Sequence, residues 1–71
     1  MMKKIQINTP FITLGQFLKY VDLVQSGGEV KAFLAVNDIK VNGEIENRRG
    51  KKLRPNDIVV VNKNREFLIS E

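Results

Sequence analysis

Five cationic side chains are concentrated in one seven-residue segment of this chain, which contains no acidic residue. They are Arg48, Arg49, Lys51, Lys52 and Arg54. The segment contributes +5 to a net charge of +4, which leaves −1 for the other residues. Five like charges repel one another unless an anion compensates them, and Gly50 lets the backbone turn so that several can converge. The segment therefore predicts an anion-binding surface.

A solvated surface loop is the plain alternative for such a cluster of charges. Against it, the chain has no long acidic run that would neutralise the cations. A polyanion explains the cluster more simply, and nucleic acid presents phosphates at a suitable density. An acidic protein partner, bound by an adaptor through the same loop, is the second hypothesis, and duplex DNA is the third.

A second anion site is suggested by the sequence "SGGEVK". Glycines that open a helix expose backbone N–H groups to a phosphate, and Lys31 follows one turn later. The spacing is not that of a P-loop. Ser26 and Glu29 also have the capping-box spacing, in which they satisfy the helix's own donors. On the residues alone, capping is the favoured interpretation.

Catalysis is not expected. The 71 residues include no histidine and no cysteine, which removes the commonest general base, the thiol nucleophile and nearly all zinc chemistry. We predict no enzyme activity, cofactor or metal. No apolar run approaches the roughly 18 residues of a membrane span, and no signal peptide is recognisable. We expect a cytoplasmic monomer with no membrane partner.

The elements that must position the cations follow from periodicity. "KKIQINT" alternates as an edge or N-terminal strand, which Pro10 ends. Thr13 and Gln16 form a capping box before a first helix predicted over residues 14–23, and a second helix starts near Gly27. The two apolar stripes should meet each other and the sheet. Tyr20 and the four phenylalanines are expected mostly on buried stripes, which leaves few aromatic platforms for bases.

The pattern of the second half of the chain predicts strands. "IKVNGEIEN" predicts a hairpin around Asn42 and Gly43, and a three-residue loop is favoured because it pairs Val41 with Ile45 on one face. "LRPND" is a turn, and "IVVVN" and "EFLIS" are strands around "NKNR". The predicted order is β-α-α-β-β-β-β, an α+β domain with two helices against a small, mostly antiparallel sheet.

Most of the chain, "LGQFLKYVDLVQSGGEVKAFLAVNDIKVNGEIENRRGKKLRPNDIVVV", resembles the S-four RNA-binding domain, which is built on the alpha-L motif. It is similar to the short stand-alone bacterial YaaA-like members. The matching signals are a leucine-led first helix, a Ser-started second helix with a basic residue one turn in, "IKVNGE", and the closing "LRPNDIVVV". The resemblance implies one RNA-binding domain over residues 1–71, with a core at 13–62.

What the resemblance implies for function is binding of structured RNA, ribosomal or transfer RNA, without catalysis. The implied RNA-binding residues are Ser26, Gly27, Gly28 and Lys31 on the second helix, and Arg48, Arg49, Lys51, Lys52 and Arg54 on the loop. Two family contacts are missing, since many members have Arg-Leu-Asp where this chain has Thr13-Leu14-Gly15, and Arg where it has Gly27. The basic loop must then supply most of the attraction, through RNA shape and backbone.

Overall fold

A computed structural model of the chain describes residues 2–71 and forms two short helices packed on strands. In chain order the elements are β1 Met2–Gln6, β2 Ile12–Thr13, α1 Leu14–Tyr20, α2 Gly27–Val36, β3 Ile39–Val41, β4 Glu44–Ile45, β5 Lys52–Leu53, β6 Ile58–Val61 and β7 Arg65–Ser70. The predicted α+β class is confirmed. No helix within residues 2–71 is long and apolar enough to cross a membrane.

The main sheet has five strands in the order β1-β7-β6-β3-β4. All its pairs are antiparallel except β1 with β7, which is parallel. This agrees with the prediction of a mostly antiparallel sheet with the N-terminal strand at an edge.

The core lies between the inner face of this sheet and the two helices. Phe17 of α1 is fully buried and meets Phe67 of β7 edge to face, with ring centroids 5.1 Å apart and planes at 82°. Leu14 and Leu18 bury the same face of α1, as the apolar stripe predicted. The first helix is thereby fixed on the sheet, and with it whatever is attached to its start.

The first helix ends at Tyr20, three residues earlier than predicted. The Leu23 N–H donates to the Leu18 carbonyl at 3.0 Å and the Asp22 N–H to the Lys19 carbonyl at 3.1 Å. Asp22 has φ of 62°, so these contacts form a Schellman motif with aspartate in the position usually taken by glycine. Because no glycine marks this position, the sequence carried no strong stop signal.

The predicted three-residue hairpin loop is wrong. Lys40 pairs with Ile45 and Val41 with Glu44, so the turn has two residues. Asn42 and Gly43 have φ of 53° and 86°, as a type I′ turn requires. The prediction assumed that β4 had a buried face. In fact β4 is a two-residue edge strand in which Ile45 is 76% exposed. Neither face of β4 packs on the core, so burial does not select the register.

A second, two-stranded sheet was missed by the sequence analysis. Ile12 pairs with Leu53 and Thr13 with Lys52, in antiparallel orientation. Each strand has only two residues, which is too short for a periodic pattern to register. This small sheet joins the basic segment to the residues just before α1.

Candidate nucleic-acid interface

The backbone of the basic segment is held by the N-terminus of α1. The Leu14 N–H donates to the Lys51 carbonyl at 2.8 Å, and the Gly15 N–H donates to the Arg49 carbonyl at 2.9 Å. These N–H groups belong to the first turn of a helix and have no partner within it. The first turn of α1 therefore fixes the loop by binding the loop's carbonyl groups.

The next donor of this turn is satisfied locally. The Gln16 N–H donates to the Thr13 hydroxyl at 3.2 Å, and the Thr13 N–H donates to the Gln16 side-chain oxygen at 2.9 Å. The predicted first capping box is confirmed. Because its first three donors are occupied, the start of α1 serves to position the loop and is not itself an anion site.

The start of α2 is capped differently from the prediction. Ser26 is the N-cap residue, but its side chain makes no hydrogen bond to the helix backbone. The Glu29 carboxylate instead accepts from the Gln25 N–H at 3.3 Å and from the Ser26 hydroxyl at 3.4 Å. Neither half of the expected capping box forms, because the Glu29 carboxylate accepts from the N–H of Gln25 rather than from that of the N-cap residue, and the Ser26 hydroxyl donates to that carboxylate. The first-turn N–H groups of α2 are left without a side-chain cap.

One groove joins the basic segment to both helices. Its lining includes Lys19 of α1, Gly27 at the start of α2, and Arg49 and Gly50 of the loop. Arg49 also lines a second shallow groove with Lys31, and Asn47 lies beside them. Arg49 thus lines one groove with Lys19 and another with Lys31, and the loop and the start of α2 share a surface.

The other four cations of the segment lie together on a neighbouring groove. This groove is lined by Gly50 and by Arg48, Lys51, Lys52 and Arg54. Two of these cations also contact an aromatic ring outside the groove: the Lys52 ammonium lies 5.0 Å and the Arg54 guanidinium carbon 5.8 Å from the centroid of the Phe11 ring. Such cation–π contacts orient long side chains while leaving their charge available.

One of the five cations is already neutralised. The Arg48 Nε donates to a Glu46 carboxylate oxygen at 2.9 Å, and Arg48 Nη2 donates to the other oxygen at 3.2 Å. The Arg48 side chain is 74% exposed and that of Glu46 10%. The hydrogen bond from Arg48 lowers the pKa of Glu46, and the carboxylate raises the pKa of Arg48. The pair remains ionised at neutral pH, so the segment has less positive charge available to a ligand than its five cations predicted.

The remaining cations keep their charge for a ligand. Asp57 follows the segment closely, but its carboxylate accepts from the backbone N–H of Arg54 at 2.8 Å and from the Asn42 amide at 3.1 Å. Within residues 2–71, the pair of Glu46 with Arg48 is the only salt bridge. Arg49, Lys51, Lys52 and Arg54 therefore have no carboxylate within salt-bridge distance.

Of the nine predicted site residues, seven lie on these three grooves and two do not. Gly27, Lys31 and Arg49 are brought together by the helices, while the other four loop cations line the neighbouring groove. Ser26 and Gly28 line none of the three. The RNA-binding role of all nine stays a prediction.

Two residues near the interface were missed by the sequence analysis. Lys19 reaches the groove only because α1 packs beside Gly27, and the sequence pattern of α1 does not reveal that packing. Phe11 was expected on a buried stripe but is 36% exposed, and Tyr20 is 64% exposed. The expectation that the aromatic residues are mostly buried is therefore wrong for these two. Among residues 2–71 no cluster of carboxylates is arranged to hold a metal.

The α+β fold and a basic surface shared by the loop and the two helices are what a small RNA-binding domain would need, and the comparison with known families agrees. The S4 domain family model matches residues 5–69. The chain belongs to the S4 domain family, as its sequence resemblance indicated. Among its relatives is a "Probable ribosome maturation protein RlbA" of Bacillus subtilis (strain 168), which is 51% identical over 61 residues and matches 86% of each chain.

Proposed function

We propose that this chain is a non-enzymatic RNA-binding module that holds the phosphate backbone of structured RNA against its basic loop and the start of α2. The observation that carries the proposal is the position of Arg49. Its carbonyl accepts from the Gly15 N–H of α1, and its side chain lines one groove with Gly27 and another with Lys31. Because the loop backbone is already held in place, it loses little conformational entropy when its cations bind a phosphate chain.

Ribosomal RNA is the target we propose. Membership of the S4 domain family supports an RNA ligand, and a 51% identical relative carries the name of a probable ribosome maturation protein. The shallow, open grooves suit recognition of RNA shape and backbone more than readout of base edges in a helix. We infer that the chain binds ribosomal RNA during ribosome maturation, and transfer RNA is the competitor to include in the test.

The salt dependence of RNA affinity tests this proposal. Within residues 2–71, five cations of the surface have no carboxylate partner, namely Lys31, Arg49, Lys51, Lys52 and Arg54. If each meets one phosphate, log K for ribosomal RNA should fall against log salt with a slope of about −4. The double variant Arg49→Glu with Lys51→Glu should bind more weakly and reduce the slope by about two. Fluorescence anisotropy with labelled RNA fragments measures both quantities.

The matched control is Lys3→Glu. Lys3 is exposed on β1 and lines none of the grooves described above, so it changes the net charge by the same amount per residue without touching the surface. The control should leave the slope unchanged. Equal losses for control and double variant, or an affinity that does not respond to salt, would refute the proposal. A complex that survives ribonuclease and keeps one stoichiometric protein would point to the adaptor function instead.

A further inference from the structure

An apolar groove with two exposed aromatic rings lies beside the basic surface and has no place in phosphate binding. It is formed by the segment between β1 and α1 and by the outer side of α1, and its volume of about 580 Å³ is in the range of small-ligand sites. Its lining includes Phe11, which is 36% exposed, and Tyr20, which is 64% exposed. Small-molecule and base sites are lined mainly by hydrophobic and aromatic side chains, and this groove has two aromatic residues in its lining.

The groove is continuous with the basic loop through Phe11. The Phe11 ring lines the groove, and the same ring is approached by the Lys52 ammonium at 5.0 Å and the Arg54 guanidinium at 5.8 Å. Two cations of the proposed phosphate-binding surface therefore stand at the rim of an aromatic groove. An occupant with an apolar flat part and adjacent negative charge matches both features.

We propose that this groove binds the base of an unpaired RNA nucleotide, which stacks on Tyr20 while the neighbouring phosphates meet Lys52 and Arg54. The inference rests on the proposed function and adds a base-binding site to it. In the described part of the chain, the cation–ring contacts involve Phe11 and Phe67 and not Tyr20, so no cation covers the tyrosine ring. Stacking on aromatic side chains is the usual way in which proteins hold splayed-out RNA bases.

Polar groups in the groove are suited to the edge of a base. Gln6 and Asn8 line it, and an amide side chain offers both donors and an acceptor. Gln16 also lines it, but its side-chain oxygen already accepts from the Thr13 N–H. A purely apolar peptide would use neither the amides nor the cations at the rim, which is why a nucleotide is the occupant proposed.

The test compares two RNA hairpins that differ only in the bases of a short single-stranded 3′ tail. One carries adenosines and the other carries abasic nucleotides, so the number of phosphates is the same. The adenosine tail should bind about 5- to 100-fold more tightly to the natural sequence. Tyr20 is the only tyrosine and the chain has no tryptophan, so its fluorescence reports on this ring alone and should be quenched by the adenosine tail.

Variants separate stacking from general weakening. Tyr20→Ala should remove the preference for adenosine while leaving binding of the abasic hairpin and its salt slope unchanged. Tyr20→Phe should keep the preference, since it keeps the ring. Val36→Ala is the matched control, because Val36 is 82% exposed and lies outside the groove.

Each outcome has a separate meaning. Salt-dependent binding of both hairpins with no preference for adenosine, or a preference that survives Tyr20→Ala, overturns the base-binding site and leaves the proposed function standing. Absence of salt-dependent binding to either hairpin or to ribosomal RNA overturns both. A preference lost in Tyr20→Ala and kept in Tyr20→Phe, together with quenching of Tyr20, supports the site.

Discussion

Replacing Glu46 by glutamine should strengthen RNA binding, although the residue lies outside the predicted contact set. Glu46 accepts two hydrogen bonds from the Arg48 guanidinium and one, at 3.0 Å, from the Arg48 backbone N–H. The carboxylate therefore competes with phosphate for an arginine that is otherwise 74% exposed. Glutamine keeps a side-chain oxygen for the backbone donor but removes the charge, so the guanidinium becomes available to RNA.

The magnitude follows from counterion release. One additional phosphate contact steepens the salt slope by about 0.9, which corresponds to a gain in affinity of about eightfold at 0.1 M salt and about fourfold at 0.2 M, relative to a common value at 1 M. The cost to folding should be modest, about 0.2–1 kcal/mol, since the Arg48 side of the pair is 74% exposed and screened by solvent. Titration of labelled ribosomal RNA at four or more salt concentrations gives both the gain and the slope.

The matched control is Glu44→Gln on β4. Glu44 is exposed and makes no salt bridge within residues 2–71, so this variant removes the same charge without releasing an arginine. It should give a smaller gain and no change of slope. If Glu46→Gln binds RNA no better than Glu44→Gln, Arg48 is held in a purely structural pair and the reasoning is refuted.

Further predictions concern the groove lined by Gly27, the effect of pH, and the core. Gly27→Arg should raise RNA affinity and steepen the salt slope by about 0.9, because a Cβ added at Gly27 meets no atom within 4 Å and the arginine would add a cation to the groove of Lys19 and Arg49. Unchanged salt titrations would contradict this. RNA affinity should vary less than about twofold between pH 6 and 8, since the chain has no histidine and Arg48 holds the pKa of Glu46 below its ordinary value of 4.5. Because folding lowers the pKa of Glu46, the pair stabilises the folded state above pH 4.5, and this contribution is lost as the pH falls through the lowered pKa. Urea unfolding of the natural sequence and of Glu46→Gln at pH 3 and pH 6 would detect the loss. Phe17→Ala should cost about 3–5 kcal/mol of unfolding free energy by loss of a fully buried ring, whereas Val36→Ala should stay within about 0.5 kcal/mol in the same urea titration; a small loss for Phe17→Ala would mean that the core does not depend on that ring.

The amino-acid sequence by itself determined the fold class, the family and the location of the cations. The apolar stripe of α1 and its capping box are local patterns, and local patterns are read correctly when neighbouring residues alone satisfy them. Asn42 and Gly43 likewise marked a turn, because few residues accept positive φ. The family resemblance rested on such signals in order along the chain, and the match over residues 5–69 confirms it.

Only the tertiary structure decided which cations are available and what surrounds them. Arg48 is neutralised because the chain turns it back onto Glu46. Arg49 lines grooves with Gly27 and with Lys31, and helix donors hold its carbonyl in that place. Tyr20 is exposed because the opposite face of α1, with Leu14, Phe17 and Leu18, packs on the core. These outcomes depend on contacts between residues distant in sequence or on which side of an element meets the core, and no local pattern encodes them.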